Sequence, residues 1–156
     1  MSSLWRYLEF LSLGTWVGSI LYLSFAVAPA AFATLGSRDQ AGALAGMALG
    51  RLHLWGLIAG VVYLVARVGM ARSLSALAGP AALAVILMLA LTLFSQYGVS
   101  ARMAHLRTEM GSVEGTPEDH PLRVQFNRLH RTSVRLEGAV LLLGLVALFL
   151  TVRDHR

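Results

Sequence analysis

The sequence predicts an all-α protein, a four-helix transmembrane bundle. Three observations carry this. Of 156 residues, 56% are hydrophobic and only 13% charged, about half the ~25% usual for soluble domains. Two runs, 10–37 and 73–101, hold 28 and 29 residues without Asp, Glu, Lys or Arg, and about 20 apolar residues suffice to cross a bilayer. Two further apolar stretches, 41–66 and 138–152, follow these runs in alternation. The composition excludes a disordered chain, which needs low hydrophobicity and high net charge. It also leaves too little polar surface to cover a soluble enzyme domain.

The four helices are placed near 4–35, 41–70, 75–106 and 121–152, in one integral membrane domain over 1–156. The first contains Pro29, expected to kink it by removing one backbone bond. Gly36-Ser37-Arg38-Asp39-Gln40 is a short polar turn with a helix-stopping Gly. The second apolar stretch, 41–66, is interrupted once, by Arg51. Ser73 to Pro80 marks the next turn, and Pro80 suits a first helical turn. The third helix leads into the loop 108–120, which is acidic and contains Gly and Pro. That loop is expected to be the most mobile internal segment. The fourth helix has only 15 uncharged residues, Gly138–Val152, about 22 Å against a hydrocarbon core of roughly 30 Å. It must therefore begin well before Glu137, near Pro121.

Ala31-Phe32-Ala33 has the small-x-small form of a signal-peptidase site. The apolar stretch before it exceeds the usual 7–15 residues, and Glu9 stands in the basic flank, so the first segment reads as a retained span. Two helical hairpins related by duplication are a second way to describe the bundle. Arg-Leu-His recurs at 51–53 and 128–130, each near the start of an even-numbered helix.

The 13 cations are all Arg and the acids number 8, a net charge of +5. The arginines flank or interrupt apolar runs, which points to a lipid bilayer rather than to nucleic acid. Their distribution leaves the membrane orientation open. The chain has no Cys, hence no disulfide, no Cys-ligated metal and no thiol nucleophile. No phosphate-binding Gly loop, HExxH pair or Ser/His/Asp spacing is present.

Chemistry is sought where ionisable groups enter apolar helices, because such groups are costly there and face the bundle interior or water. Arg51 and His53 interrupt the second helix. Asn127, His130 and Glu137 share a stripe of the fourth by helical spacing, with Ser133 at its border. These six residues form the candidate intramembrane polar site. His53 and His130 are expected at similar depth. Glu137 is expected to face inward, satisfied by Arg51, a Ser hydroxyl or Tyr22. The bland alternative is that the arginines snorkel and the histidines bond neighbouring helices. No metal site and no cofactor is predicted. Two opposed imidazoles at equal depth would be the requirement for haem b. Gly14/Gly18 and Gly42/Gly46/Gly50 have G-xxx-G spacing, which allows close helix approach.

The run Phe126-Asn127-Arg128-Leu129-His130-Arg131-Thr132-Ser133 resembles the F-xxx-H-xx-S signature of the TMEM205-like (DUF4149) integral membrane proteins. The Gly-rich first helix, Ala28-Pro29-x-x-Phe32 and Ala41-Gly42 resemble that family too. Where the family often has Asn four residues after the Ser, this chain has Glu137. The resemblance implies a four-span bundle and brings no established activity with it.

Three functions fit these residues. The first is a membrane protein that binds or moves a small solute or ion through a polar interior. The second is a non-catalytic subunit, partner-binding module or homo-oligomer in a membrane complex. The third is a haem or redox protein. The Ala, Gly, Leu and Arg bias points to a bacterium and hence to its inner membrane for this multi-pass protein; whether it is an enzyme is left open, with the balance against, and no catalytic residue is assigned.

Overall fold

A computed structural model describes residues 2–155; Arg156, counted above in the net charge, lies outside them. Four helices long and apolar enough to cross a membrane make the bundle: α1 (Ser3–Thr34), α2 (Arg38–Ala71), α3 (Pro80–Met110) and α4 (Pro121–Asp154). No strand occurs among the described residues. Each helix packs on its neighbours in the order α1–α2–α3–α4–α1, and no backbone contact bridges either diagonal among the described residues. This is the up-down-up-down arrangement that short connections favour.

The helix starts are set by local chemistry. Ser37 Oγ accepts from the amides of Asp39 and Gln40 at 3.1 and 3.3 Å, so α2 begins at Arg38, three residues earlier than expected. An N-cap hydroxyl of this kind satisfies amides that have no intrahelical partner. Residues 75–78, expected inside the third helix, belong instead to a separate 3₁₀ helix, Leu74–Ala78, capped by Ser73. Gly79 is extended and α3 starts on Pro80, whose missing N–H costs nothing at that position. His120 caps α4 by accepting from Leu122 N at 3.3 Å. The helix then runs without a break through Asp154, and its early start supplies the length that Gly138–Val152 lacks.

Both odd-numbered helices contain a wide π turn. In α1 it spans Leu23–Val27, immediately before Pro29, so the irregularity expected at the proline is spread over the preceding turn. In α3 it spans Ser95–Ser100. A π turn inserts one residue and re-registers the face that follows, a feature often found at functional sites.

The outer surface is apolar: Phe25, Leu142 and Phe149 are among many large exposed side chains. The core is built from Leu13, Trp16, Ile20, Tyr63, Val85, Met88 and Val140. Glycines decide how closely it packs, though of those with the expected spacing only Gly42 is in close contact. Gly14, Gly18, Gly46 and Gly50 face open space, whereas a Cβ on Gly56 would run into Trp16 and one on Gly60 into Leu89 and Trp16. Gly42 makes room for the Arg107 guanidinium, which donates to the Asp39 carbonyl at 3.1 Å and lies over the Phe126 ring.

The α3–α4 loop is tied down. The Asp39 carboxylate accepts from Ser112 Oγ at 2.6 Å and from the Val113 amide at 2.9 Å, while Glu114 accepts from the Arg38 amide at 3.0 Å. The anchors are polar and come from the start of α2, which is why an apolar reading of the loop alone does not find them.

Candidate functional site

Along α2 the buried positions include His53, Gly56, Gly60, Tyr63 and Arg67, spaced three and four apart as one helical face. His53 is fully buried. Its Nδ1 lies 2.7 Å from Gln96 Oε1 of α3, and its Nε2 lies 3.3 Å from Glu137 Oε2 of α4. The α2 and α4 backbones do not touch, so the His53–Glu137 pair bridges the diagonal with side chains alone. The π turn Ser95–Ser100 positions Gln96 for this contact.

The geometry restricts the proton. With the Gln96 amide oxygen turned toward the ring, Nδ1 carries the hydrogen of that bond. The Nε2–Oε2 contact then holds one proton between an imidazole and a carboxyl group: either a neutral pair or an imidazolium–carboxylate pair. Three buried polar atoms near this level have no hydrogen-bond partner among the described residues: Glu137 Oε1, Ser95 Oγ and Trp16 Nε1. Ser95 adjoins Gln96 in the chain, and Trp16 Nε1 sits against Gly56, one turn from His53. Unpartnered buried polar groups are uncommon and mark places where water or a ligand is accommodated.

Of the six residues expected at the site, the structure pairs two directly. His53 and Glu137 meet, and Ser133 is buried one turn before Glu137. Arg51 is exposed, two residues and therefore about 200° around the helix from His53. Asn127 is half-buried, ten residues and about 15 Å before Glu137 along the axis. His130 is exposed. The buried line of α4 runs through Phe126, Ser133, Val140, Gly144 and Thr151, which leaves His130 on its shoulder. The partner of Glu137 is thus His53, not Arg51 or Tyr22, both of which are exposed. With His130 outside, the two imidazoles do not form the opposed internal pair that haem b requires. The two Arg-Leu-His motifs are likewise not equivalent in position, although both odd-numbered helices share a π turn. No group of three or more His, Cys, Asp or Glu suited to a metal ion occurs among the described residues.

Gln96 was not among the expected residues. Its signal is that it is the single amide side chain within the uncharged run 73–101.

The family model described as "Domain of unknown function (DUF4149)" matches residues 11–112. The chain belongs to the DUF4149 family. The matched segment runs from residue 11 of α1 to just past α3, including His53 and Gln96; it leaves out Glu9 at the start of α1 and all of α4, which holds Glu137 and the Phe126–Ser133 run. No curated protein and no solved structure matches the chain. Together with the four apolar helices, the family match describes a multi-pass helical membrane protein.

Proposed function

We propose that this chain is a small-ion-handling membrane protein whose exchangeable ligand is a proton held between His53 and Glu137. The observation that supports this is a buried acid–base pair across the bundle diagonal, with one Glu137 oxygen left unpartnered. Intramembrane carboxyl and imidazole groups are expensive, and a proton relay is among the uses that repay them. One proton already belongs to the pair; a second converts it to imidazolium plus carboxylic acid, and Glu137 Oε1 is the oxygen free to receive it. Gln96 orients the ring by holding Nδ1, as a second partner does for a working histidine.

The test is infrared difference spectroscopy of the protein in nanodiscs across a pH step. A carboxyl band should appear as Glu137 takes up a proton. Glu137→Gln should erase it while leaving helix content and thermal stability nearly unchanged, because the amide keeps shape and hydrogen bonding. A wild-type protein without a titrating carboxyl band assignable to Glu137 would end this reading.

We further propose that the chain is a TMEM205-like member of its family, on the Phe126–Ser133 motif of α4, and that it resides in a bacterial inner membrane, on its Ala, Gly, Leu and Arg bias. A second reading, a partner-binding module or homo-oligomer, draws on Gly14 and Gly18. Both are exposed, with nothing within 4 Å of an added Cβ, so this face of α1 is open to another helix. Mass photometry of the protein extracted in native nanodiscs separates the two: a fixed complex supports the module.

A further inference from the structure

A second buried acid–base cluster lies toward the other end of the bundle. Glu9 of α1 is fully buried. Its Oε1 accepts from Arg67 at 3.4 Å, and its Oε2 faces His155 Nε2 at 2.6 Å. Arg67 also pairs with Asp154. One turn before Arg67 on α2, the Tyr63 hydroxyl bonds Thr151 at 2.8 Å. The groups facing Glu9 and His155 are therefore Tyr63 and Arg67 from α2 and Asp154 from α4, with the Phe10 ring of α1 against His155. A cleft of about 490 Å³ reaches the cluster; Arg67, Asp154 and His155 line it together with Ser75 and Gly79 of the α2–α3 turn.

The two clusters are separated along α2 by 14 residues, His53 to Arg67, or about 21 Å. Trp16 stands between them. Its indole fills a notch at Gly56 and Gly60, where an added Cβ would come within 2.3 Å of Nε1 and 2.9 Å of the six-membered ring. Ile20, Val85, Met88 and Val140 complete an apolar layer around it. The indole N–H is unpartnered, so it is a polar contact available to water whenever that layer opens.

A helix clamp would need only the Arg67 ion pairs. It would not need an imidazole bonded to a fully buried carboxylate at the mouth of a cleft. We propose that the Glu9–Arg67–Asp154–His155 cluster is a second proton-exchange site in series with the His53–Gln96–Glu137 cluster, with Trp16 as the barrier between them, so that the chain conducts protons across the membrane. This rests on the reading of the first cluster as exchangeable. One proton enters at Glu137 from the α3–α4 loop end, one leaves through Glu9 and His155 into the cleft, and no electron moves. Passage through the apolar layer requires water to enter when the Trp16 indole leaves its notch.

The test uses the full chain in liposomes containing a pH-sensitive dye, with a potassium diffusion potential set by valinomycin. Wild-type vesicles should take up protons faster than protein-free ones. Glu9→Gln and His155→Asn should each lower that uptake at least tenfold, as should Glu137→Gln. Trp16→Ala should raise it, and adding Glu9→Gln should cancel the rise. His155→Asn lies at the helix end and keeps the test alive if Glu9→Gln does not fold. If Glu137→Gln alone stops uptake while Glu9→Gln and His155→Asn conduct normally, the series proposal is overturned and the first reading stands. If wild-type vesicles do not conduct although the Glu137 infrared band titrates, the protein binds protons without passing them, and again only the series proposal falls. Absence of both conduction and band overturns the two together.

Discussion

Single atoms decide much of this bundle, and Gly56 shows it best. Its missing Cβ is the space that the Trp16 indole nitrogen occupies, 2.3 Å from where that carbon would stand. Trp16 is fully buried and has no other place to go. Gly56→Ala should therefore destabilise the protein by about 1–3 kcal/mol, the usual cost of overpacking. Gly14→Ala, with nothing within 4 Å, should be neutral or slightly stabilising, since Ala favours helix over Gly. Thermal unfolding of both variants in the same detergent checks the contrast. Equal melting temperatures would mean that the notch is not tight. Neither outcome follows from the G-xxx-G spacing alone, because the spacing occurs on both inward and outward faces.

At the scale of elements, the ends and irregular turns of the helices place the site. The Ser95–Ser100 π turn delivers Gln96 to His53, and the start of α2 holds the α3–α4 loop. Asp39 does the holding, through Ser112 and the amides of Val113 and Glu114. Its carboxylate also lies in the first turn of α2, where negative charge is favourable. Asp39→Ala should release the loop without unfolding the bundle. Hydrogen–deuterium exchange in nanodiscs should then speed up at Val113 and Glu114 and stay unchanged at the centre of α2. Unaltered exchange at those two amides would show that the loop is held by other contacts. The loop's composition points to mobility, and it is a partner 73 to 75 residues away in sequence that opposes it.

Across the whole molecule, polar pairs bridge the α2–α4 diagonal at three levels: His53–Glu137, Tyr63–Thr151 and Arg67–Asp154. The apolar side chains meanwhile face outward or fill the layer between these levels. Such an interior is sensitive to loss of one partner. Arg67→Leu should leave Glu9 buried beside His155 alone and should cost about 3–5 kcal/mol, the range for breaking a buried ion pair from one side. The measurement is reversible unfolding in mixed micelles. A cost below about 1 kcal/mol, the range of exposed pairs, would show that water reaches the cluster freely.

The sequence by itself determined that this is a four-span helical bundle, because span number depends on the length of apolar runs and a bilayer sets that length. It also determined that α4 starts well before Glu137, from the shortness of its uncharged run. His53 and Glu137 were legible as candidate residues because charged and imidazole groups stand out in apolar helices. Their pairing was not, and neither were the roles of Gln96, Glu9 and Arg67. Helical spacing assigns Asn127, His130 and Glu137 to one stripe, but the rotation of α4 about its axis is chosen by packing at Val140, Gly144 and Thr151. A rotation small on the scale of one residue sends His130 to the surface and keeps Glu137 inside. Glu9 and Arg67 are 58 residues apart, and each sits near the end of an apolar run, where a charged residue ordinarily reaches toward water. Only the side-by-side packing of α1, α2 and α4 removes that water and turns two boundary charges into a buried pair.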